Sequence, residues 1–403
     1  MANTLLTPTA VTREALRILH QKLNFIGTIN RQYDKSFAKD GAKIGSSLKI
    51  RLPNEYTVRS GRVLSTQATT ESSVTLTVGT QKGVDVSFTS DELTLSLDDF
   101  SSRILKPAMS VLAANIESDA MSMYKDIYNE ISDVGAAATV ALVLKNSKRL
   151  TDFLAPSSDR CLNLGTTESA DLIAALAGQY NPTGQLSEQF REGMVQNQFL
   201  GFQKVYENTL WPIHTTGTDD GTGDYLINGA GQSGATLTID TGAGTWKKGD
   251  IFNIDSVFSV HPETKASTGT LKQFVVTADA GVSATSLSIS PAIVTSGATQ
   301  NVNAGPGDDA KLNKQESDAS TAVAASADYQ ISMGYHKDAF AFVTADLEMP
   351  SGVDFASRQV LDGVSMRIVR DYDINNDAFP CRIDVLYGYK TIRAPLACRL
   401  GLN

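Results

Sequence analysis

The stretch "TWKKGDIFNIDSVFSVHPETKAS", residues 245–267, decides how this chain is organised. A Gly-Asp turn leads into Ile251, Phe252 and Ile254, then into Val257, Phe258 and Val260. Apolar residues alternating over a few positions mark half-buried strands. The style extends over 217–325, where Leu237/Ile239, Phe252/Ile254, Phe258/Val260, Phe274/Val276 and Leu287/Ile289 alternate among Gly, Thr, Ser, Ala and Asp. Roughly 110 residues suffice for a core of their own, so the stretch reads as an all-β module. The polar run 303–325, "NAGPGDDAKLNKQESDASTAVAA", is expected to be a loop at its exit.

Both flanks of this module have a different character. Over 11–24, Ala15, Leu16, Leu19 and Leu23 follow a helical spacing. That single apolar stripe packs either on its own domain or on a neighbouring chain. Over 41–90, Leu48/Ile50/Leu52, Val74/Leu76/Val78 and Val84/Val86/Phe88 alternate around a polar tip, "RSGRVLSTQATTES". Such a hairpin has little apolar surface and needs something to lie on. Residues 99–133 carry the longest helical pattern, with Pro107 either starting the main helix or kinking it. From Pro107 to Ile131 it would span ~35–40 Å, the length of a structural spine. "RCLNLG" reads as a buried strand, and "TTESADLIAALAGQ" as a helix with Thr166 or Thr167 as N-cap and Gly178 as its stop. "NPTG" is a turn, and Pro212 ends any regular element. After the module, "AFAFVTADL" is an apolar strand, and "DINNDAFP" joins the alternating set Val364/Met366/Ile368 to Cys381/Ile383/Val385/Tyr387. The β-module is therefore inserted into a host built from both flanks.

Composition narrows the function. The chain has 403 residues, 41% hydrophobic and 20% charged, with net charge −9. An acidic chain without basic runs does not work by coating nucleic acid. Cys161, Cys381 and Cys398 are odd in number and far apart, which argues against a disulfide framework or a zinc site. The N-terminus lacks the pattern of a secretory signal, and no apolar run approaches ~18 residues. A soluble chain made in a reducing cytoplasm is expected.

No constellation for chemistry emerges, and no cofactor or enzymatic activity is expected. "GAGQSG", Gly229–Gly234, matches a dinucleotide fingerprint in letters, but "ATLTID" after it is strand-like where a helix N-terminus is required. His20, His214, His261 and His336 make no metal-binding spacing and read as incidental surface or interface residues. The pairs Asp98/Asp99, Asp219/Asp220 and Asp308/Asp309 read as cap or loop residues. The hairpin of 41–90 is locally basic: Lys43, Lys49, Arg51, Arg59 and Arg62 stand against Glu55 and Glu71. It is either a solvated hairpin or a contact for an acidic neighbouring surface.

The order of these parts resembles the major capsid proteins of tailed double-stranded-DNA phages. The α+β fold of that class is the Hong Kong 97-like capsid fold; the closer likeness is to the short-tailed Salmonella phage type with an inserted, barrel-like β-domain. The likeness rests on "FTSDELTLSLDDFSSRILKPAMSVLAANIE" (88–117), "GFQKVYENTLWPIHTTGT" (201–218), "KKGDIFNIDSVFSVHPETKAS" (247–267), "HKDAFAFVTADLEMP" (336–350) and "RIDVLYGYKTIRAPLACRLGL" (382–402). It implies an N-arm (1–38), an extended loop hairpin over an adjacent subunit (39–90) and a peripheral domain with a spine helix (91–139). It further implies an axial domain (140–216), the inserted β-domain (217–325) and a return to axial and peripheral strands (326–403). The implied function is self-assembly, as hexamers and pentamers, into an icosahedral head around double-stranded DNA. A separate scaffolding protein, a portal protein at one vertex and packaged DNA bound without sequence specificity are the implied partners. The protein would reside in the virion after assembly in the host cytoplasm. The alternative is a β-rich surface-layer or adhesin-type subunit.

Overall fold

The computed structural model describes residues 12, 15, 17–18, 23–31, 47–59, 61–64, 66–67, 71–89, 106–177, 199–219, 225–240, 242–314, 326–361 and 364–402. In chain order its helices are α1 (Asn24–Thr28), α2 (Lys106–Met121), α3 (Val140–Asp152) and α4 (Thr166–Ala177). The strands before the module are β1 (Ser47–Arg51), β2 (Ser73–Thr77), β3 (Thr80–Thr89), β4 (Glu130–Ser132), β5 (Arg160–Leu164), β6 (Lys204–Glu207) and β7 (Ile213–Thr215). Those within it are β8 (Gly234–Thr238), β9 (Ile251–Val260), β10 (Ser267–Val276), β11 (Ser286–Ile293) and β12 (Leu312–Lys314). Beyond it come β13 (Asp328–His336), β14 (Phe340–Ala345), β15 (Phe355–Leu361), β16 (Val364–Arg370), β17 (Ala378–Thr391) and β18 (Ala397–Leu402).

The chain forms two compact units. One comprises residues 1–50, 73–121 and 340–392; the other comprises 51–72, 122–339 and 393–403. In the first unit, β14, β17, β16 and β15 lie side by side, and β3 pairs with β17. The apolar residues Val364, Met366, Ile368, Ile383, Val385 and Tyr387 are all buried as expected, and the intervening Ser365 and Asp384 are buried with them. β3, whose alternation places it in the 41–90 excursion by sequence, belongs instead to this sheet, in register from Thr80↔Tyr387 to Thr89↔Ala378. Only β1 and β2 form the two-stranded ladder. Ile50, Leu76 and Val78 rest on Ala341 and Val343, which supplies the support a lone hairpin lacks.

The N-terminal segment docks on its own unit. Thr12, Ala15, Arg17 and Ile18 are helical, with Ala15 and Ile18 buried. The Phe25 N–H donates to the buried Glu117 carboxylate at 2.6 Å, and the Phe25 ring meets Phe340 edge-on. Asn30 then bridges to Ala341. Leu16 and Leu19 lie outside the described residues.

The spine helix is shorter than its sequence pattern. α2 stops at Met121, a 3-10 turn covers Ser122–Asp126, and Glu130–Ser132 form a strand. Sixteen residues give about 24 Å. Long-range partners take over the end of the pattern: Asn129 O accepts from Arg399 N at 2.8 Å, and β4 pairs in parallel with β18. Pro107 sits in the first turn, where its missing N–H costs nothing. The expected "RCLNLG" strand is β5, buried throughout. α4 begins at Thr166, so Thr166 and Thr167 are helical residues and Gly165 stands at the capping position. Gly178, "NPTG" and residues 99–105 lie outside the described residues.

The second unit holds two sheets. One has the order β4-β18-β13-β5-β6, with β7 also on β13. The other runs β12-β9-β10-β11-β8. Residues 225–227 link its two edges, since Leu226 bridges to Lys311 and Ile227 to Ile239. The Ile227 N–H donates to Ala310 O, and Asp240 N–H donates to Leu226 O. The sheet thereby closes into a small barrel, which removes its open edges. Its core joins Tyr225, Trp246, Phe252 and Phe274 with Leu237, Ile254, Leu287 and Val302. The exit run 303–325 is not wholly loop, because its described part contains β12, paired with β9.

Candidate functional site: an exposed basic loop and a buried seam

Between β1 and β2 the chain makes a loop. Arg51 and Glu71 face each other across its base at 3.4 Å, both largely exposed. Farther out, Thr57 N–H donates to Gln67 Oε1 at 2.9 Å, and Gln67 returns a hydrogen bond to Thr57 O. The Arg59 guanidinium donates to the carbonyls of Gly61 and Val63. These bonds give the loop a shape without a core. Lys49 and Arg51 on β1 and Arg59 and Arg62 on the loop are all exposed; Lys43 lies outside the described residues. The loop also carries apolar side chains in solvent: Tyr56 (58%), Val58 (95%), Val63 (83%) and Leu64 (79%). The alternating strand pattern does not include these four residues. Their signal was apolar side chains in a stretch with no predicted partner strand.

The second site is the seam between the barrel and the six-stranded sheet. His214, on β7, is 3% exposed and not an incidental surface residue. Its Nδ1 lies 3.0 Å from Tyr124 Oη, and its Nε2 lies 2.9 Å from Asp250 Oδ1. A neutral imidazole serves both contacts if Nε2–H donates to the carboxylate and Nδ1 accepts the tyrosine proton. Asp250 also accepts from the N–H groups of Gly217 and Lys247, each at 3.0 Å. Lys314 Nζ stands 3.7 Å from its other oxygen and donates to Gly217 O and Asp219 O. Burial alone would raise the Asp250 pKa; the His214 hydrogen bond, the Lys314 charge and the Lys247 N–H hold it below the usual aspartate value.

Arg399, on β18, extends the network. Its Nη2 meets Glu130 Oε2 at 2.7 Å and donates to Gly249 O at 2.9 Å. Gly249 has φ +102°, and a β-carbon there would stand 3.0 Å from His214 Cε1. Only glycine suits that turn. Gln273 of the barrel makes a two-way pair with Glu130, donating to its O at 2.8 Å and accepting from its N–H at 3.1 Å. Gln273 Oε1 also accepts from Arg149 at 2.9 Å. Lys272 beside it is 3% exposed, with Nζ 4.7 Å from the Tyr128 ring centre and 5.0 Å from that of Phe153. Burial, with some help from Arg149, lowers its pKa to about 7.

These acids and bases hold one another. The seam is cohesive chemistry: paired charges removed from water, with hydrogen bonds to backbone groups. His336 is also buried, whereas His261 is partly exposed and accepts N–H groups of its own turn; His20 lies outside the described residues. Gly229, Gly231 and Gly234 take positive φ in a loop running into β8, so no helix N-terminus follows them. Asp308 caps that loop by accepting from Gly229 N–H, and Asp219 is buried. Asp98, Asp99 and Asp220 lie outside the described residues. The three cysteines are buried, and none of them is in a disulfide.

This α+β arrangement, with its exposed loop and inserted barrel, is the fold of Hong Kong 97-like phage capsid subunits. A solved structure from Mycobacterium phage Che8 aligns over 95% of this chain and 91% of its own, at TM-score 0.50 and 13% identity. The family profile described as P22 coat protein, gene protein 5, matches residues 25–400, and the chain belongs to that family. It is a major capsid protein of a tailed phage, a structural subunit of the virion that assembles with copies of itself into capsomers. Other similar structures are the mature capsid of bacteriophage PhiM1 (10% identity, 90% of this chain and 83% of that one, TM-score 0.44) and the CUS-3 coat protein I-domain (30% identity, 23% and 95%, TM-score 0.19). No curated protein matches. Among the described residues no helix is long and apolar enough to cross a membrane.

Proposed function

We propose that the loop of residues 51–72 is the contact by which one subunit holds the next in an icosahedral head. The observation that carries this is the exposed set Tyr56, Val58, Val63 and Leu64, flanked by Arg59 and Arg62. Apolar side chains kept in water on a shaped loop are stabilised when a neighbour covers them, and the arginines favour an acidic neighbour and set its register. Lys43, Lys49 and Arg51 belong to the same contact. Each contact can be modest, because a shell repeats it many times. In this reading residues 1–38 act as the N-arm, the β1–β2 part of 39–90 as the extended loop, and 91–139, joined by β3, as the peripheral domain with its spine. Residues 140–216 and 326–403 build the axial domain and return to the peripheral one, and 217–325 form a barrel that supports subunit folding. The head encloses double-stranded DNA without sequence readout. A separate scaffolding protein and a portal at one vertex complete the partners, and assembly takes place in the host cytoplasm.

The test is deletion of residues 57–70. The subunit should remain soluble and folded, with an unchanged circular dichroism spectrum, and should form no regular shells by electron microscopy. Normal shells from this variant would refute the contact; loss of the folded subunit would assign the loop to folding instead.

A further inference from the structure

An open cleft of about 520 Å³ lies beside the seam, bordered by Tyr124, Lys125, Ile213, His214, Lys247 and Lys248. Its floor is fixed. Tyr124 and His214 are buried and hydrogen-bonded to each other, and Gly249 lies close against both the His214 ring and the Lys125 stem. Its rim carries three lysines, Lys125, Lys247 and Lys248, against one carboxylate, Asp279, and so keeps an excess of positive charge on a chain of net charge −9. The Lys248 ammonium stands 3.9 Å from Asp126, and Asp279 accepts from the Lys248 backbone N–H at 2.6 Å. Ile213 stands at the mouth, 66% exposed.

We propose that this cleft receives the acidic tip of the β16–β17 hairpin from a second copy of the chain. The proposal rests on the self-assembly of this family but not on the contact assigned to residues 51–72. The tip, "DYDINND" (371–377), carries Asp371, Asp373 and Asp377 and no basic residue. Ile374 at its apex is 80% exposed and Tyr372 is 45% exposed. Acid and apolar side chains on the tip therefore match lysines and an exposed isoleucine at the cleft. The tip is also pre-shaped. Asp373 accepts from Asn375 N–H at 2.9 Å and Asn376 Nδ2 at 2.7 Å, and Tyr372 Oη donates to Asp377 at 3.0 Å. Asp373 and Ala378 exchange backbone hydrogen bonds below it. A loop already ordered loses little entropy on docking.

The experiment places Ile213→Cys and Ile374→Cys in the full chain, singly and together, and treats assembled particles with a short bismaleimide. The native cysteines are buried and give a low background. The double variant should run as a ladder of covalent dimers and larger species on a denaturing gel, and each single variant as monomer. A double variant that stays monomeric in particles intact by electron microscopy overturns the proposal and leaves the coat-protein function untouched. So does equal laddering of either single variant, or a conjugate of the Ile213→Cys chain with a different protein. Charge exchange gives an independent reading. Lys247→Glu with Lys248→Glu should lower particle yield about tenfold, and adding Asp371→Lys with Asp377→Lys should restore most of it. Wild-type yield from the first pair, or no recovery with the second, counts against docking.

Discussion

Asp250 is wholly buried, yet it stays charged because its surroundings are built for a carboxylate. It receives His214, two backbone N–H groups and the nearby Lys314. Asp250→Asn should leave Lys314 as a buried charge without its counter-ion, a loss of about 3–5 kcal/mol in urea unfolding. The pH dependence has a definite sign. The folded-state pKa lies below the unfolded value of about 3.9, so the stabilisation is complete above that value and is lost as pH falls through the folded one. The gap between wild type and Asp250→Asn should shrink below about pH 4 in melts across the acid range. Lys272 is the opposite case. Its folded pKa of about 7 lies under the free value, so the unfolded chain binds more protons between them. Wild-type stability should therefore rise from pH 7 towards pH 10. Lys272→Met should flatten that rise and add about 1–4 kcal/mol at pH 7, less what the Tyr128 and Phe153 rings return to the ammonium. A variant less stable than wild type at pH 7 would show that the rings outweigh desolvation.

At the scale of elements, the barrel closes on itself through residues 225–227 and holds its own aromatic core around Trp246. Residues 217–325 expressed alone should therefore fold as a β-domain, with a β-type circular dichroism spectrum and a cooperative melt. A random-coil spectrum would show that the seam is required for folding. The strands β8 to β11 were legible because alternation is a local property. β12 was not, because Leu312, Asn313 and Lys314 sit in a polar run and become a strand only against Ile254, Asn253 and Phe252 of β9. The spine helix illustrates the same limit. Residues 122–132 keep a helical spacing, but Gln273 and β18 compete for their backbone and win. Tertiary hydrogen bonds to otherwise buried groups outweigh a weak local propensity.

For the whole molecule, the order of parts along the chain carried the class: terminal helix, hairpin, helix, mixed region, β-insertion, closing hairpin. That order is visible in sequence, and the family match agrees with it. The assembly surfaces were visible only in part. Charge on the 41–90 excursion is countable, but the exposure of the four apolar residues of its loop, uncovered by any of the described residues, needed a structure to show. The same holds for the lysine cleft, whose residues come from positions 124–125, 213–214 and 247–248. The chain crosses between its two units at 50/51, 72/73, 121/122, 339/340 and 392/393, and 3-10 turns stand next to the last three, at Ser122–Asp126, Lys337–Ala339 and Ala394–Leu396. None of these turns has a sequence pattern long enough to read.

By itself, then, the amino-acid sequence determined which residues alternate, where the β-rich insertion lies and which class of shell protein the chain resembles, since these follow from patterns a few residues long and their order. The tertiary structure alone decided where the spine helix ends, how the barrel closes and that His214, Asp250, Lys314, Glu130 and Arg399 form one buried network. Those outcomes depend on partners far apart in the chain: Arg399 with Gly249 and Glu130, Gln273 with Glu130. A charged side chain looks the same in sequence whether it faces water or is buried against its counter-ion; only the fold brings the second charge to the first.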